Sequence, residues 1–157
     1  MNTVEVALAG VRASRWRAAA AGLCREALDA AGIDGWDLSV LLASDAVVRG
    51  LNARYRGKDR ATDVLSFSQL EGARLAGHGG RRPAGDLVIS LETMRRNARE
   101  HGVGEREELA RLIVHGILHL AGMDHGRGAG RAMRDRERRV LGTLDLRGAD
   151  RAGGGDP

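Results

Sequence analysis

The chain has 157 residues, of which 43% are hydrophobic and 29% charged, a balance typical of one soluble globular domain. A single cysteine excludes an intrachain disulfide, and no apolar run approaches the ~18 residues expected of a membrane helix. The net charge of +4 weakly favours a polyanionic partner, while an aromatic content of 3% argues against the stacking platforms of RNA-recognition sheets.

The first predicted unit is a strand followed by a helix. Val4, Val6 and Leu8 share one parity, which predicts a short strand. A helix is expected over residues 14–31, with Gly32 ending it. Its buried stripe is expected to consist of Trp16, Ala20, Leu23, Ala27 and Leu28.

The second predicted unit has the same order. Residues 37–43 predict a strand, and Ser44 or Asp45 is expected to cap the helix that follows. This helix continues through Tyr55, and Gly57 ends it. Its buried stripe is expected to consist of Val48, Leu51 and Tyr55.

The second half is predicted to contain two strands and three helices. In chain order we expect a strand at 62–68, a mobile Gly/Arg-rich loop at 71–84, a strand at 87–90, and helices at 90–101, 105–121 and 131–141. The Gly-rich tail at 147–157 is expected to be disordered. Residues 1–146 therefore predict one α+β domain (or single-layer α/β), with a small mixed four-stranded sheet packed by about five helices.

Three of the five histidines lie within residues 115–125, HGILHLAGMDH. His115 and His119 are about one helical turn apart and share one face of the predicted helix. Gly122 allows the chain to leave the helix in a left-handed conformation, which brings His125 within reach of the same ion. This spacing predicts a zinc site with one open coordination position, the arrangement of catalytic zinc, where water becomes nucleophilic near neutral pH.

The residue after the first histidine separates this motif from that of the metzincin peptidases, H-E-x-x-H-x-x-G-x-x-H. Those enzymes use a glutamate there as general base, whereas this chain has Gly116. Gly116 therefore favours phosphoester over amide hydrolysis, since a phosphodiester needs the metal, a nucleophile and a cation for the developing charge. Asp124, beside His125, is expected to orient that imidazole, to accept a proton, or only to cap the turn.

A second group of charged residues surrounds one predicted turn. Its cations are Arg54, Arg56, Lys58 and Arg60, with Asp59 among them and Asp63 three positions after Arg60. An arginine fork matches the geometry of a phosphate, and Arg56 stands at a helix end from which it would reach into a cleft. A solvated charged turn is the alternative, and this segment alone favours that alternative.

Four motifs occur in order along the chain: LNARYRGKD at 51–59, TDVLSF at 62–67, GDLVIS at 85–90 and HGILHLAGMDH at 115–125. Over about residues 40–141 they resemble the YbeY family of bacterial metal-dependent endoribonucleases. The resemblance implies a small mixed sheet packed by helices with a zincin-like metal site. The zinc-binding histidines of the family match His115, His119 and His125, and its functional arginine matches Arg56. The resemblance also implies cleavage of single-stranded RNA, maturation of the 3′ end of 16S rRNA and a part in ribosome quality control.

Three features depart from the family pattern. Ser68 stands where the family commonly has proline, and the segment at 71–84 is unusually rich in glycine and arginine. The C-terminal helix often carries a pair of glutamates, of which only Glu137 is clearly present in this chain. These departures concern the edge of the substrate cleft and not the histidine motif.

The sequence thus predicts a cytoplasmic, zinc-dependent endoribonuclease with one zinc per chain. No secretory signal is evident among its first residues, which is why cytoplasmic residence is expected. The expected partners are single-stranded RNA, 16S rRNA and the ribosome or its small subunit, with no membrane. The residues predicted to be catalytic are Arg56, His115 and Asp124.

Two alternatives remain open. A metallopeptidase is disfavoured by Gly116. A ribosome assembly factor without catalytic activity would hold a structural zinc, which needs a fourth protein ligand, and Cys24 and His78 are the obvious donors outside the motif. Otherwise Cys24 is expected to be a small buried apolar side chain. His78 and His101 are expected to be ordinary exposed side chains.

Overall fold

Four strands and five helices make up the described part of the chain, which comprises residues 1–12, 14–68, 82–122 and 128–146 of the computed structural model. In chain order they are β1 (Thr3–Ala9), α1 (Ser14–Ala30), β2 (Trp36–Ala43), α2 (Asp45–Arg56), β3 (Val64–Ser68), β4 (Arg82–Ser90), α3 (Leu91–His101), α4 (Glu105–Leu120) and α5 (Ala129–Leu141). This confirms the predicted α+β class. The expected tail at 147–157 and most of the expected loop lie outside the described residues.

The strands form one mixed sheet in the order β1-β2-β4-β3. β1, β2 and β4 run parallel, and β3 runs antiparallel to β4. Helices connect the strands on both faces, as parallel neighbours require. β3 is therefore the last strand of the described sheet, and one of its edges faces away from the other strands.

The two faces of the sheet bury different cores. Alternate residues of β2 and β4 face the larger core, to which α1, α3, α4 and α5 also contribute; the strand residues are Leu38, Val40, Leu42, Leu87 and Ile89. The intervening positions Ala43 and Val88 pack with Val48 of α2 in a smaller core. The pleat thus assigns α4 to one face and α2 to the other.

The N-terminal cap of α2 is Ser44, which resolves the choice between Ser44 and Asp45. The Ser44 hydroxyl accepts a hydrogen bond from the backbone N–H of Val47 at 3.3 Å. Asp45 lies in the first turn, where its carboxylate binds side chains of β4 and α3. At the other end Gly57 adopts a left-handed conformation with φ of 68°, as its role in ending the helix requires.

The prediction that Tyr55 belongs to the buried stripe of α2 is wrong. Val48 is fully buried, but Tyr55 is 56% exposed. Tyr55 lies in the last turn of α2, beyond the smaller core, and its ring meets the edge of the Phe67 ring with centroids 5.6 Å apart. Helical spacing placed Tyr55 on the face of α2 that meets the sheet, but only the partly buried Phe67 of β3 covers it there.

The predicted boundary between the Gly/Arg-rich loop and β4 is also wrong. The strand begins at Arg82, five residues before the predicted start, and Arg82 and Pro83 pair with Trp36 and Asp37 of β2. The register then shifts beside Gly85, which has φ of 137°. Proline and glycine are rare in strand interiors except at such irregularities, so composition concealed this part of the strand.

Candidate active site

A cleft of about 780 Å³ lies between α2, the outer edge of β3 and the C-terminal end of α4. One wall carries Arg56, Lys58 and Arg60, and the other carries His115 and His119. The two groups of residues singled out in the sequence therefore meet in one cleft. Ser68, where the family commonly has proline, also lines it.

Helix α4 holds two of the predicted metal ligands on one face. The rings of His115 and His119 have centroids 5.3 Å apart, and the His115 side chain is 39% exposed. Gly122 follows with φ of 79°, the left-handed conformation predicted for it. His125 and Asp124 lie outside the described residues. The third ligand and the part played by Asp124 therefore stay predictions.

A carboxylate from α5 meets the first of these histidines. The Glu137 Oε1 atom lies 2.5 Å from Nδ1 of His115, and the Glu137 side chain is 18% exposed. Because Nδ1 is engaged, Nε2 is the nitrogen left to bind a metal. A carboxylate behind a ligating histidine fixes its tautomer and raises its basicity. The family resemblance singled out Glu137 but gave it no role. Its contact with His115 could not be predicted, because no spacing rule relates residues 22 positions apart.

Gly116 lies on the side of α4 that faces the sheet. A Cβ atom at this position would approach Cδ2 of Leu87 to 2.6 Å and Oγ of Ser66 to 3.4 Å. Leu87 is fully buried in the larger core. Glycine therefore allows α4 to approach β4 closely, and any side chain here would point into the core. The position that carries the general base in peptidases is therefore packed against β3 and β4.

The guanidinium group of Arg56 is fixed at the outer edge of β3. Its Nη2 donates a hydrogen bond to the carbonyl oxygen of Ser66 at 2.7 Å, and its Cζ lies 4.9 Å from the centroid of the Phe67 ring. Arg54, by contrast, stacks over Tyr55 at 5.2 Å and does not line the cleft. Of the four predicted cations, the other three reach the cleft.

Two polar residues that the sequence analysis gave no role shape the cationic wall. Asn52 is buried, and its Nδ2 donates to the carbonyl oxygen of Arg60 at 2.9 Å, which fixes the turn after α2. Asp63 accepts hydrogen bonds from the N–H of Val64 at 2.8 Å and from Asn97 at 3.3 Å. Both residues lie within the recognised motifs, but only the tertiary contacts reveal what each holds.

A buried ion pair lies behind the histidines on α4. Glu108 is 1% exposed and accepts hydrogen bonds from Arg111, with Nε 2.8 Å from Oε1. This hydrogen bond raises the pKa of the Arg111 guanidinium further above its ordinary value, opposed by partial burial. Arg111 also lies 3.7 Å from Asp63 and so connects the two walls of the cleft.

Cys24 and His78 were the donors considered as a fourth ligand of a structural zinc, and Cys24 is the one that the described residues include. Cys24 is fully buried in the larger core, and burial raises the pKa of its thiol to about 12, so it is a buried apolar side chain as expected. The His101 side chain is 57% exposed, as predicted, and its Nδ1 lies 3.9 Å from the buried carboxylate of Glu108. His78 lies outside the described residues.

Comparison with known proteins decides the family. The family model described as "Endoribonuclease YbeY" matches residues 4–145. The chain belongs to the YbeY endoribonuclease family. Membership supports hydrolysis of RNA as its activity and confirms the resemblance found in the four motifs.

Curated YbeY relatives agree over most of the chain. The endoribonuclease YbeY of Pelotomaculum thermopropionicum is 47% identical over 70% of this chain and 73% of its own. That of Treponema pallidum is 43% identical over 80% and 78% of the two chains, and that of Aquifex aeolicus 47% over 75% and 77%.

A solved structure shares the fold. The solution structure of TM1509 from Thermotoga maritima has a TM-score of 0.55 and 24% identity, covering 87% of this chain and 89% of that one.

Among the described residues of this YbeY chain, no helix has the length and hydropathy needed to cross a membrane.

Proposed function

We propose that this chain is a zinc-dependent endoribonuclease that cuts single-stranded RNA. The observation that carries the proposal is the pairing of His115 and His119, on one wall of a cleft, with Arg56, Lys58 and Arg60 on the other. Family membership supports RNA as the substrate. A cleft with imidazole donors facing several cations suits a phosphodiester, which is anionic and becomes more so in the transition state.

The residues present fit a zinc ion. His115 and His119 are neutral nitrogen donors one turn apart, and Glu137 holds Nδ1 of His115 in the manner of a carboxylate behind a zinc ligand. We propose that His125 completes the set, with one zinc per chain. Zinc bound there would supply a Lewis acid and make water nucleophilic near neutral pH.

The remaining chemistry falls to the side chains of the chain. Arg56 is held by Ser66 and Phe67 at the cleft wall, so that its guanidinium is preorganised to bind phosphate oxygens as negative charge develops. Lys58 and Arg60 are exposed and attract the flanking backbone. Asp124 remains a proposed base or orienting group beside His125.

Peptide hydrolysis is disfavoured by two contacts. Gly116 faces the sheet, so the general base of the metzincins has no counterpart at this position. The Arg56 side chain also occupies the Ser66 carbonyl oxygen at the edge of β3, an acceptor that an extended peptide would use in adding a strand. The assembly-factor alternative requires a fourth ligand, for which buried Cys24 is unsuited.

The biological substrate we propose is precursor 16S rRNA, cut near its 3′ end during maturation and ribosome quality control in the cytoplasm. This proposal rests on the family resemblance, with the small ribosomal subunit as partner. The small number of aromatic side chains supports the idea that ribosomal partners contribute specificity. Site-specific cutting of naked ribosomal RNA by the isolated protein would contradict that division of roles.

The test pairs metal content with cleavage of a labelled single-stranded RNA, using a duplex of the same sequence to measure strand preference. We expect His119→Ala to lose bound zinc and cleavage together. Arg56→Ala should keep its zinc and lose turnover by about 10²–10³-fold, the loss typical of removing one group that stabilises transition-state charge. Arg54→Ala, which removes a cation outside the cleft, is the matched control and should retain both.

Each contrary result has a distinct meaning. If His119→Ala loses zinc and RNA cutting persists, the nuclease activity belongs to a contaminant or another site, and the assembly-factor alternative becomes preferred. If Arg56→Ala loses zinc and turnover equally, Arg56 supports the fold of the site and not the transition state. Digestion of a peptide library by the intact protein would favour the metallopeptidase.

A further inference from the structure

The exposed side of α5 carries a stripe of arginines beside the cleft. Arg131, Arg134 and Arg138 are all exposed, and their spacing of three and four residues places them on one face of the helix. Met133 and Val140 mark the opposite, buried face. We call the three arginines the α5 stripe.

Unlike Arg49 and Arg96, the arginines of the α5 stripe are not paired with a described residue. Arg49 pairs with Asp59 at 2.7 Å and Arg96 pairs with Asp45 at 2.7 Å. No member of the stripe has an ion pair or hydrogen bond to a described residue. Asp135 lies four positions after Arg131 and three before Arg138, so this face of α5 carries one carboxylate among three guanidinium groups and keeps a net positive charge.

The position of the stripe relates it to the active site. Glu137, which meets His115 at 2.5 Å, lies three positions after Arg134 and directly before Arg138. Residues three apart on a helix are neighbours, so Arg134 lies next to the carboxylate that meets His115, although no residue of α5 lines the cleft itself. The opposite wall of the cleft carries Arg56, Lys58 and Arg60. An RNA strand that passes the histidines from that wall would next meet the positive face of α5.

We propose that the α5 stripe binds the phosphate backbone of single-stranded RNA as it leaves the cleft. The proposal rests on the endoribonuclease function proposed above and extends the RNA path from the cleft onto α5. Phosphate oxygens are the partner that three unpaired guanidinium groups fit, since each fork can donate two parallel hydrogen bonds. Such contacts set affinity and orientation without reading sequence.

The test compares two charge-matched triple variants of the full chain. One replaces the α5 stripe by Arg131→Gln, Arg134→Gln and Arg138→Gln. The control replaces Arg17, Arg25 and Arg99 by glutamine; these exposed arginines lie on α1 and α3 and do not line the cleft. Binding of uncleavable 2′-O-methyl RNA is measured by fluorescence anisotropy across a salt series, with a 20-nucleotide and a 4-nucleotide probe. Cleavage of unmodified RNA by the intact protein is measured in parallel.

For the α5 variant we expect the 20-nucleotide probe to bind about 10-fold more weakly near 0.1 M salt, with the slope of log affinity against log salt reduced by about 2. Binding of the 4-nucleotide probe should not change. The control variant should behave as the intact protein with both probes. Thermal unfolding should show similar stability for both triple variants and the intact protein, because every replaced arginine is exposed.

The remaining outcomes overturn one proposal or the other. Equal losses in both triple variants would mean that only net charge matters, and the α5 proposal would fail. Unchanged binding of the long probe, with RNA cutting intact, would also refute it while leaving the endoribonuclease standing. If the intact protein neither binds nor cuts RNA, the proposed function itself fails, and an acidic protein surface becomes the partner to test for the stripe.

Discussion

The two walls of the cleft hold their polar side chains in different ways. Behind the histidines of the α4 wall the charged groups are paired and partly or fully buried: Glu108 binds Arg111, and Glu137 of α5 meets His115. On the α2 wall Lys58 and Arg60 are exposed to solvent. Metal ligands need fixed positions, whereas cations that follow a flexible polyanion do not. The difference indicates that the α4 wall provides geometry and the α2 wall provides charge.

Arg56 combines the two modes. Its wall is the exposed one, but its guanidinium is held by a carbonyl oxygen and an aromatic face. That is the arrangement expected of a cation needed at one point of the reaction path, since preorganisation is what makes a charge effective in the transition state. Substitutions of the groups that hold each wall should therefore have different effects on stability, metal binding and pH dependence.

The largest expected effect comes from breaking the buried pair on the α4 wall. Arg111→Met leaves the buried carboxylate of Glu108 with only His101 nearby, at 3.9 Å, and should lower the free energy of unfolding by about 3–5 kcal/mol. Glu108→Gln should cost less, since Arg111 is partly exposed and can reach water. Urea unfolding measures both. Equal losses would contradict the idea that the buried carboxylate dominates, and the double variant Glu108→Leu/Arg111→Met should recover much of the stability.

A smaller effect is expected from removing the carboxylate that contacts the His115 ring. Glu137→Gln removes the carboxylate behind Nδ1 of His115 and should weaken zinc binding by about 10- to 100-fold, measured by competition with a chromophoric chelator. The control is Glu107→Gln, an exposed change in the first turn of α4, the helix that carries His115. This variant should bind zinc as the intact protein does. If Glu137→Gln binds zinc with unaltered affinity, the Glu137 carboxylate does not contribute to metal binding.

The smallest effect is expected from replacing Asp45, whose carboxylate links the N-terminal end of α2 to β4 and α3. Burial raises the pKa of the Asp45 carboxyl, but hydrogen bonds from Ser90, Thr93 and Arg96 outweigh this and leave the pKa below 3.8. A lowered pKa gives stability that is present above about pH 4 and is lost as pH falls through the folded value. Asp45→Asn should lower unfolding free energy by about 1–2 kcal/mol at pH 7.

The same variant should also flatten the decline in stability below pH 4, because it removes the titrating group. Unfolding in urea at several pH values measures both effects. Asp59→Asn is the control, since Asp59 is exposed and its pair with Arg49 is screened by water, so stability near neutral pH should not change measurably. A pH profile of Asp45→Asn identical to that of the intact protein would show that the three hydrogen bonds do not favour the ionised form.

Local spacing alone determined much of this protein. Apolar alternation located β1 and β2, and glycines ended helices where predicted, because these features depend on residues within a few positions of one another. The same local rules placed His115 and His119 on one helix face and assigned Gly122 its left-handed conformation. The sequence motifs also identified the family, which the comparisons confirm.

Contacts between residues distant along the chain could not be predicted from local spacing and are seen only in the tertiary structure. It extended β4 to Arg82 through pairing with β2 and left Tyr55 beyond the core. It turned Gly116 toward Leu87, brought Glu137 to His115 across 22 positions, and joined the cation turn to the histidine helix in one cleft. These contacts join residues distant along the chain, and the packing of helices on both faces of the sheet selects which of them meet.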